Sequence, residues 1–138
     1  MPPATFTGAV SHDQIPALLG SIDVAVAPYP KLSTFYFSPL KIYEYMAAGL
    51  AVVASRTGQI AKLIDDGVTG LLYEAGDVDG LLYALDRLRC DPRLRLSLGR
   101  KARDAVVRAH TWDAVVKRVL ELGHLKSSVA HAPVGAAT

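Results

Sequence analysis

The order of apolar and polar residues divides the first half of the chain into short, separate elements. Two runs, Asp23–Pro28 and Leu50–Ala54, are almost entirely apolar and rich in Val and Ala. Such runs are typical of strands that are buried on both faces of a parallel sheet. Ala4–Val10, where β-branched and aromatic residues partly alternate, predicts another strand, and so does Thr69–Tyr73. The pattern therefore predicts about four strands.

Helical signals stand between these strands. Ser11–Gln14 has the capping-box spacing S-x-x-Q and opens an amphipathic segment that runs through Ile22. Ser38 as N-cap and Pro39 in the first helical position open a second helix of about ten residues, and Gln59–Ile64 predicts a third, short one. Alternating strands and helices with short connections predict an α/β fold, with an incomplete Rossmann-like parallel sheet and helices on both faces.

The C-terminal part predicts helices only. We expect them at Asp77–Leu88, in a short stretch from Pro92, at Gly99–Ala109 and at Asp113–Leu122. Asp77 and Thr111 have the side chains of N-caps. Residues 123–138 are small, polar or Pro without periodicity, which predicts a disordered tail. We therefore expect one partial domain at residues 1–122, followed by that tail.

Composition excludes several classes of protein. The chain has 138 residues, of which 51% are hydrophobic and 20% charged, as in a single globular domain. Its only cysteine, Cys90, excludes an internal disulfide and a cysteine-based zinc site. No apolar run reaches the roughly 18 residues of a membrane span, and the first residues lack the features of a signal peptide. We expect a soluble, cytoplasmic protein without a transmembrane segment.

Positive charge is concentrated in one region. Residues 87–118 contain ten Lys or Arg and three Asp, so +7, whereas the rest of the chain carries five basic and ten acidic residues, so −5. This pattern is compatible with a patch for nucleic acid or for an anionic membrane surface. Solvated helix faces are the favoured explanation, because no aromatic residues are interleaved and no binding motif is present. We expect no nucleic-acid binding.

The helix start at Ser38–Leu40 is the best candidate site. It follows a buried strand, and ligands of open α/β sheets bind at the carboxyl ends of the strands. The backbone amides of Leu40 and Lys41, together with the Lys41 ammonium group, suit a phosphate or diphosphate. Glu44, one turn further on, suits the vicinal diol of a ribose. The alternative is that Glu44 is an ordinary surface acid or the ion-pair partner of Lys41.

Three segments resemble one known family. In order they are FTGAVSHDQIPALLGSIDVAVAPY, SPLKIYEYMAAGLAVVAS and DDGVTGLLYEAGDVDGLLYAL. They are similar to the C-terminal, donor-binding half of the group 1 retaining glycosyltransferases with the GT-B fold, over about Thr5 to Leu122. The family has two Glu residues eight positions apart, and the second resembles Glu44 with the Tyr-Met-Ala-Ala-Gly that follows it. The resemblance implies that Glu44 holds the ribose of a nucleotide sugar and that the preceding helix start holds its diphosphate.

Two further positions are less similar to the family. Tyr36 stands where the first Glu contacts the transferred sugar, so the identity of that sugar is not implied. Gly58 stands in the place of a glycine-rich loop, although a plain strand-to-helix turn explains it equally well. His12 and His110 lack partners at metal-ligand spacing, so surface or capping roles are favoured for both. We identify no catalytic residues within this chain.

The resemblance implies a fragment of a glycosyltransferase that binds the nucleoside diphosphate part of a sugar donor, without a metal or other cofactor. The N-terminal half with the acceptor site is expected to be missing, as are two strands that separate Ala4–Val10 from Asp23–Pro28 in the family. Self-association through the open strand edge is therefore expected. Two alternatives remain open: a non-catalytic nucleotide- or partner-binding module, and half of a nucleotide-sugar epimerase.

Overall fold

A computed structural model describes residues 4–31 and 38–123 of the protein. Within these ranges, a parallel sheet is formed by β1 (Val24–Ala27), β2 (Ala51–Arg56) and β3 (Leu71–Glu74), in the order β1-β2-β3. The helices are α1 (Ile15–Gly20), α2 (Leu40–Ala47), α3 (Ile60–Leu63), α4 (Val78–Cys90), α5 (Pro92–Ala109) and α6 (Trp112–Leu122). The predicted α/β class and the Rossmann-like parallel sheet are confirmed.

The central strand β2 is buried on both faces, as its unbroken apolar sequence predicts. Five of its six residues are buried, and neighbouring residues of a strand point to opposite faces. Val52 and Ala54 pack on one face against α2, α3 and the C-terminal half of α5. Ala51 and Val53 pack on the other face against β3, α4 and Leu98 of α5. The core therefore has two layers, one on each side of a short sheet.

Side chains cap the three C-terminal helices. The Asp77 carboxylate accepts a hydrogen bond of 3.0 Å from the amide of Gly80. The Thr111 hydroxyl accepts one of 3.3 Å from the amide of Ala114. Both caps were predicted from the sequence and are confirmed. Asp91 caps α5 in the same way, by accepting 2.9 Å from the amide of Leu94.

Two predictions about the N-terminal region are wrong. Residues 4–10 form no strand, because a strand needs a backbone partner and β1 pairs only with β2 among the described residues. The capping box also forms differently, since the Ser11 hydroxyl bonds the Gln14 side chain at 2.8 Å and caps no amide. The turn at His12–Gln14 is therefore a 3₁₀ helix, and α1 ends at Gly20 rather than at Ile22.

A third correction concerns α5, which is one helix where two were predicted. Gly99 suggested a helix start, but it lies inside α5 and is buried. A Cβ atom at this position would lie 2.9 Å from the carbonyl carbon of Gly49 and closer still to its oxygen. Gly99 is thus a packing glycine that lets α5 lie directly on the backbone between α2 and β2. The close contact places α5 against the backbone that follows the C-terminal end of α2.

The last helix, α6, leaves most of its apolar side chains exposed, among them Trp112 and Leu122. No helix of the described residues is both long and apolar enough to cross a bilayer. The tail predicted to be disordered lies outside the described residues, except for Gly123.

Candidate functional site

The carboxyl ends of the three strands lie along one edge of the sheet, and α2 begins above that edge after the β1 strand. The carbonyl of Pro39 accepts hydrogen bonds from the amides of Ile42 at 2.9 Å and Tyr43 at 3.3 Å. The amides of Leu40 and Lys41, the two residues immediately before Ile42, donate to none of the residues that the structure describes. Among the described residues, the start of α2 therefore has two N–H groups without an acceptor, at the positive end of a helix dipole.

Ser38 does not cap α2, so this part of the prediction is wrong. The N-cap position is occupied by Pro39, and no side chain bonds the amides of the first turn. Pro39 is buried and Ser38 is exposed, so the ring anchors the helix start while the hydroxyl stays outside. Among the described residues, no side chain caps the first amides of α2. Tyr36 lies outside the described residues.

Lys41 is held over an aromatic ring. Its Nζ lies 4.5 Å from the centroid of the Tyr29 ring, which is on the segment that follows β1. A lysine ammonium at this distance is attracted by the negative face of the ring. The contact ties the Lys41 side chain, which comes from the first turn of α2, to the segment that follows β1. Cation, amides and helix dipole all favour an anion at this end of the sheet.

Glu44 lines a cavity of about 430 Å³ between α1, α2 and α5. Its carboxylate makes no hydrogen bond or ion pair with the described residues, and Lys41 on the preceding turn is not its ion-pair partner. The apolar wall of the cavity is formed by Ile15, Pro16, Leu19 and Ala47. A free carboxylate beside an apolar wall suits a ligand that has both hydroxyl groups and a flat apolar surface.

Two polar residues of this cavity were not predicted as site residues. Arg103 comes from α5, and its guanidinium group donates a hydrogen bond to the carbonyl of Ala47 at the end of α2. His12, for which a surface role was favoured, lies on the rim beside α1. No sequence signal marks Arg103, because its position depends on the packing of Gly99 against Gly49. His12 lies in the loop after Val10, just before the helix that forms one wall of the cavity, and this position in the sequence is the signal for its place on the rim.

Gly58 lies just beyond β2, at the same edge of the sheet as the start of α2. Its φ of 47° is in the left-handed region that favours glycine. The geometry fits both a tight turn and a backbone approach to a ligand. In the described ranges, no three His, Cys, Asp or Glu side chains are grouped closely enough to hold a metal ion.

Residues 2–91 match the sequence profile of the family described as "Glycosyl transferases group 1". Among curated proteins, sulfoquinovosyl transferase SQD2 of Arabidopsis thaliana is 33% identical over 120 residues, which cover 85% of this chain and 22% of SQD2. The MMP alpha-(1->4)-mannosyltransferase of Mycolicibacterium hassiacum is 32% identical over 115 residues, which cover 83% of this chain and 27% of that protein.

Two solved structures have a similar fold. Sucrose-phosphate synthase (tll1590) from Thermosynechococcus elongatus superposes with a TM-score of 0.74 and 29% identity over 87% of this chain and 29% of its own. Anabaena Alr3699/HepE, solved in complex with UDP and glucose, superposes with a TM-score of 0.66 and 24% identity over 80% of this chain and 30% of its own. The chain thus spans less than a third of the length of these four proteins.

Proposed function

The chain belongs to the group 1 glycosyltransferases, and from this premise we propose that it binds the nucleoside diphosphate part of a sugar donor. One observation carries the proposal. Glu44 has no partner among the described residues, lines an apolar-walled cavity, and stands one helical turn beyond two backbone amides that donate to no described residue. The cavity, the Glu44 carboxylate and the two amides thus follow one another along α2, in the order in which base, ribose and diphosphate are joined in a nucleotide.

The diphosphate is proposed to bind at the start of α2. The amides of Leu40 and Lys41 would donate to its oxygens, and the ammonium group of Lys41 would balance part of its charge. Each such charge at a helix terminus contributes about 0.3–1 kcal/mol when it is exposed. Gly58, at the neighbouring strand end, is proposed to allow close approach of the backbone. This arrangement supplies positive charge without a metal ion, so we propose that none is needed.

The nucleoside is proposed to occupy the cavity beside Glu44. Its volume of about 430 Å³ is within the range of roughly 300–1,000 Å³ of small-ligand sites. The Glu44 carboxylate would accept hydrogen bonds from the ribose diol, while the apolar wall would cover the base. A hydrogen bond to a charged group contributes about 1.5–3 kcal/mol. The fold shared with Anabaena HepE, which was solved with UDP and glucose, makes UDP the first nucleotide to test.

Transfer of the sugar is proposed as the activity of the longer protein, with the acceptor bound by an N-terminal half that the four compared proteins are long enough to contain. The relatives named above are transferases or a synthase, which favours transfer over the epimerase considered from the sequence. The cytoplasmic location stays a prediction.

Calorimetry with UDP, GDP and ADP tests the binding proposal. We expect Glu44→Ala to weaken the nucleotide that binds best by roughly 10- to 100-fold, Glu44→Gln to weaken it less, and Lys41→Ala to weaken it least. Glu121→Ala, which removes an exposed carboxylate of α6, is the matched control and should leave affinity unchanged. Equal affinity of folded Glu44→Ala and wild type would show that Glu44 is only a surface acid.

A further inference from the structure

The buried hydroxyl of Ser55 fastens the segment after β1 to the sheet. Ser55 lies near the carboxyl end of β2 and has no exposed surface. Its Oγ accepts a hydrogen bond of 2.7 Å from the amide of Tyr29 and donates one of 2.9 Å to the Tyr29 carbonyl. The hydroxyl oxygen of Tyr73 lies 3.0 Å from the same Oγ. One hydroxyl proton and two lone pairs are enough for all three contacts.

This side chain replaces strand pairing at one residue. β1 and β2 pair up to Ala27 and Ala54, and Pro28, which comes next, has no N–H to continue the ladder. Ser55 then binds both backbone groups of Tyr29, as a neighbouring strand would. The backbone of Tyr29 is therefore held at a fixed position after the strand has ended.

The fixed residue is the one whose ring lies beneath Lys41. The ammonium group of Lys41 is 4.5 Å from the centre of the Tyr29 ring, and Lys41 belongs to the first turn of α2. A chain of contacts therefore runs from the hydroxyl of Ser55 through Tyr29 to the charge at the helix start. Ser55 is fully buried and makes no contact with Lys41 itself.

We propose that Ser55 is a positioning residue, which holds the Lys41 ammonium group at the start of α2 by fixing Tyr29. Its relevance to donor binding rests on the proposed function, but the contact with Lys41 does not. A purely structural Ser55 would lower stability when it is replaced and would leave the environment of Lys41 unchanged. If Ser55 is a positioning residue, its replacement would release the Lys41 side chain from the Tyr29 ring.

The first test observes the lysine directly, without a ligand. The ε-methylene protons of Lys41, beside the Tyr29 ring, should resonate upfield in the NMR spectrum, and Tyr29→Leu defines their position without the ring. We expect Ser55→Ala to move this resonance most of the way to the Tyr29→Leu position. Tyr73→Phe is the matched control, because it removes another buried hydroxyl bonded to Ser55 but keeps both bonds to Tyr29, and it should leave the resonance near wild type.

An unchanged Lys41 resonance in folded Ser55→Ala would overturn the proposal, and so would an equal shift in Tyr73→Phe. If Ser55→Ala does not fold, Ser55→Cys takes its place, since its larger sulfur still fills the site but is a weak donor and acceptor. It should then give a shift between those of wild type and Tyr29→Leu, and a wild-type shift would count against the proposal.

The second test uses UDP and a double-mutant cycle. We expect Lys41→Met to weaken UDP binding about 2- to 5-fold, as for one charge at a helix terminus, and Ser55→Ala to weaken it by no more than that. In the Lys41→Met background, Ser55→Ala should cause no further loss. An additive loss would overturn the proposal. Failure of wild type to bind UDP would contradict the proposed function, while the Lys41 resonance would still decide the role of Ser55.

Discussion

Replacing Gly99 with Ala should destabilise the protein, although alanine is the better helix former. In an exposed helix interior, Gly→Ala gains about 0.5–1 kcal/mol. At position 99 the added Cβ would lie 2.9 Å from the carbonyl carbon of Gly49 and 3.4 Å from that of Leu50, and closer still to the Gly49 oxygen. These are backbone atoms, which cannot rotate out of the way, so α5 has to move off the sheet.

Overpacking of this kind costs about 1–3 kcal/mol. After the gain from the better helix former is subtracted from this cost, the free energy of unfolding should fall by about 1–2 kcal/mol. Gly20→Ala is the matched control, because a Cβ at the end of α1 meets no atom within 4 Å. It should leave stability unchanged or raise it slightly. Urea denaturation of both variants, followed by circular dichroism, measures the difference.

The argument is refuted if Gly99→Ala is as stable as wild type or more stable. A loss of similar size in Gly20→Ala would refute it as well, since the cost would then not come from the contact with Gly49. Because Gly49 lies two residues beyond the helix that carries Glu44, Gly99→Ala should also weaken nucleotide binding if the proposed function is correct.

Three further predictions follow from the sheet edge and the site. EDTA should leave the affinity for UDP unchanged, because the proposed site uses amides and Lys41 in place of a metal ion; a large loss in calorimetry would count against it. Light scattering over a concentration series should show dimers or larger species, since β1 pairs on one side only among the described residues, and a monomer at high concentration would contradict this. The chain alone should release no nucleoside diphosphate from a panel of sugar donors, because it spans less than a third of the transferases it matches; turnover that survives repurification would disprove it.

The sheet was predictable because strands that are buried on both faces have locally apolar sequences. β2 has five buried residues in six, and four of them, Ala51–Ala54, belong to the apolar run from which the strand was predicted. The helix caps Asp77 and Thr111 were predictable for the same reason, since a cap depends on the few residues around it. Ala4–Val10 has the composition of a strand as well, but a strand also needs a partner, and composition does not supply one.

In the candidate site too, the residues placed by local sequence could be predicted, and those placed by the packing of distant elements could not. Glu44 and Lys41 could be found because both lie on one helix at a fixed spacing. Arg103 could not, since its bond to Ala47 joins residues 56 positions apart and depends on how closely α5 packs. Gly99, whose missing side chain permits that packing, resembles a helix start when only its neighbours in sequence are considered. The hydroxyl of Ser55 was likewise missed, because nothing in the strand marks it as the partner of Tyr29.

The most direct test of the account is a titration of the ¹⁵N-labelled chain with UDP, followed by amide chemical shifts. The account predicts that the amides of Leu40 and Lys41 shift most, that Glu44 and the cavity wall at Ile15 shift with the same saturation, and that α6 does not respond. Saturable shifts confined to α4 or α6, with the amides of Leu40 and Lys41 unmoved, would contradict it.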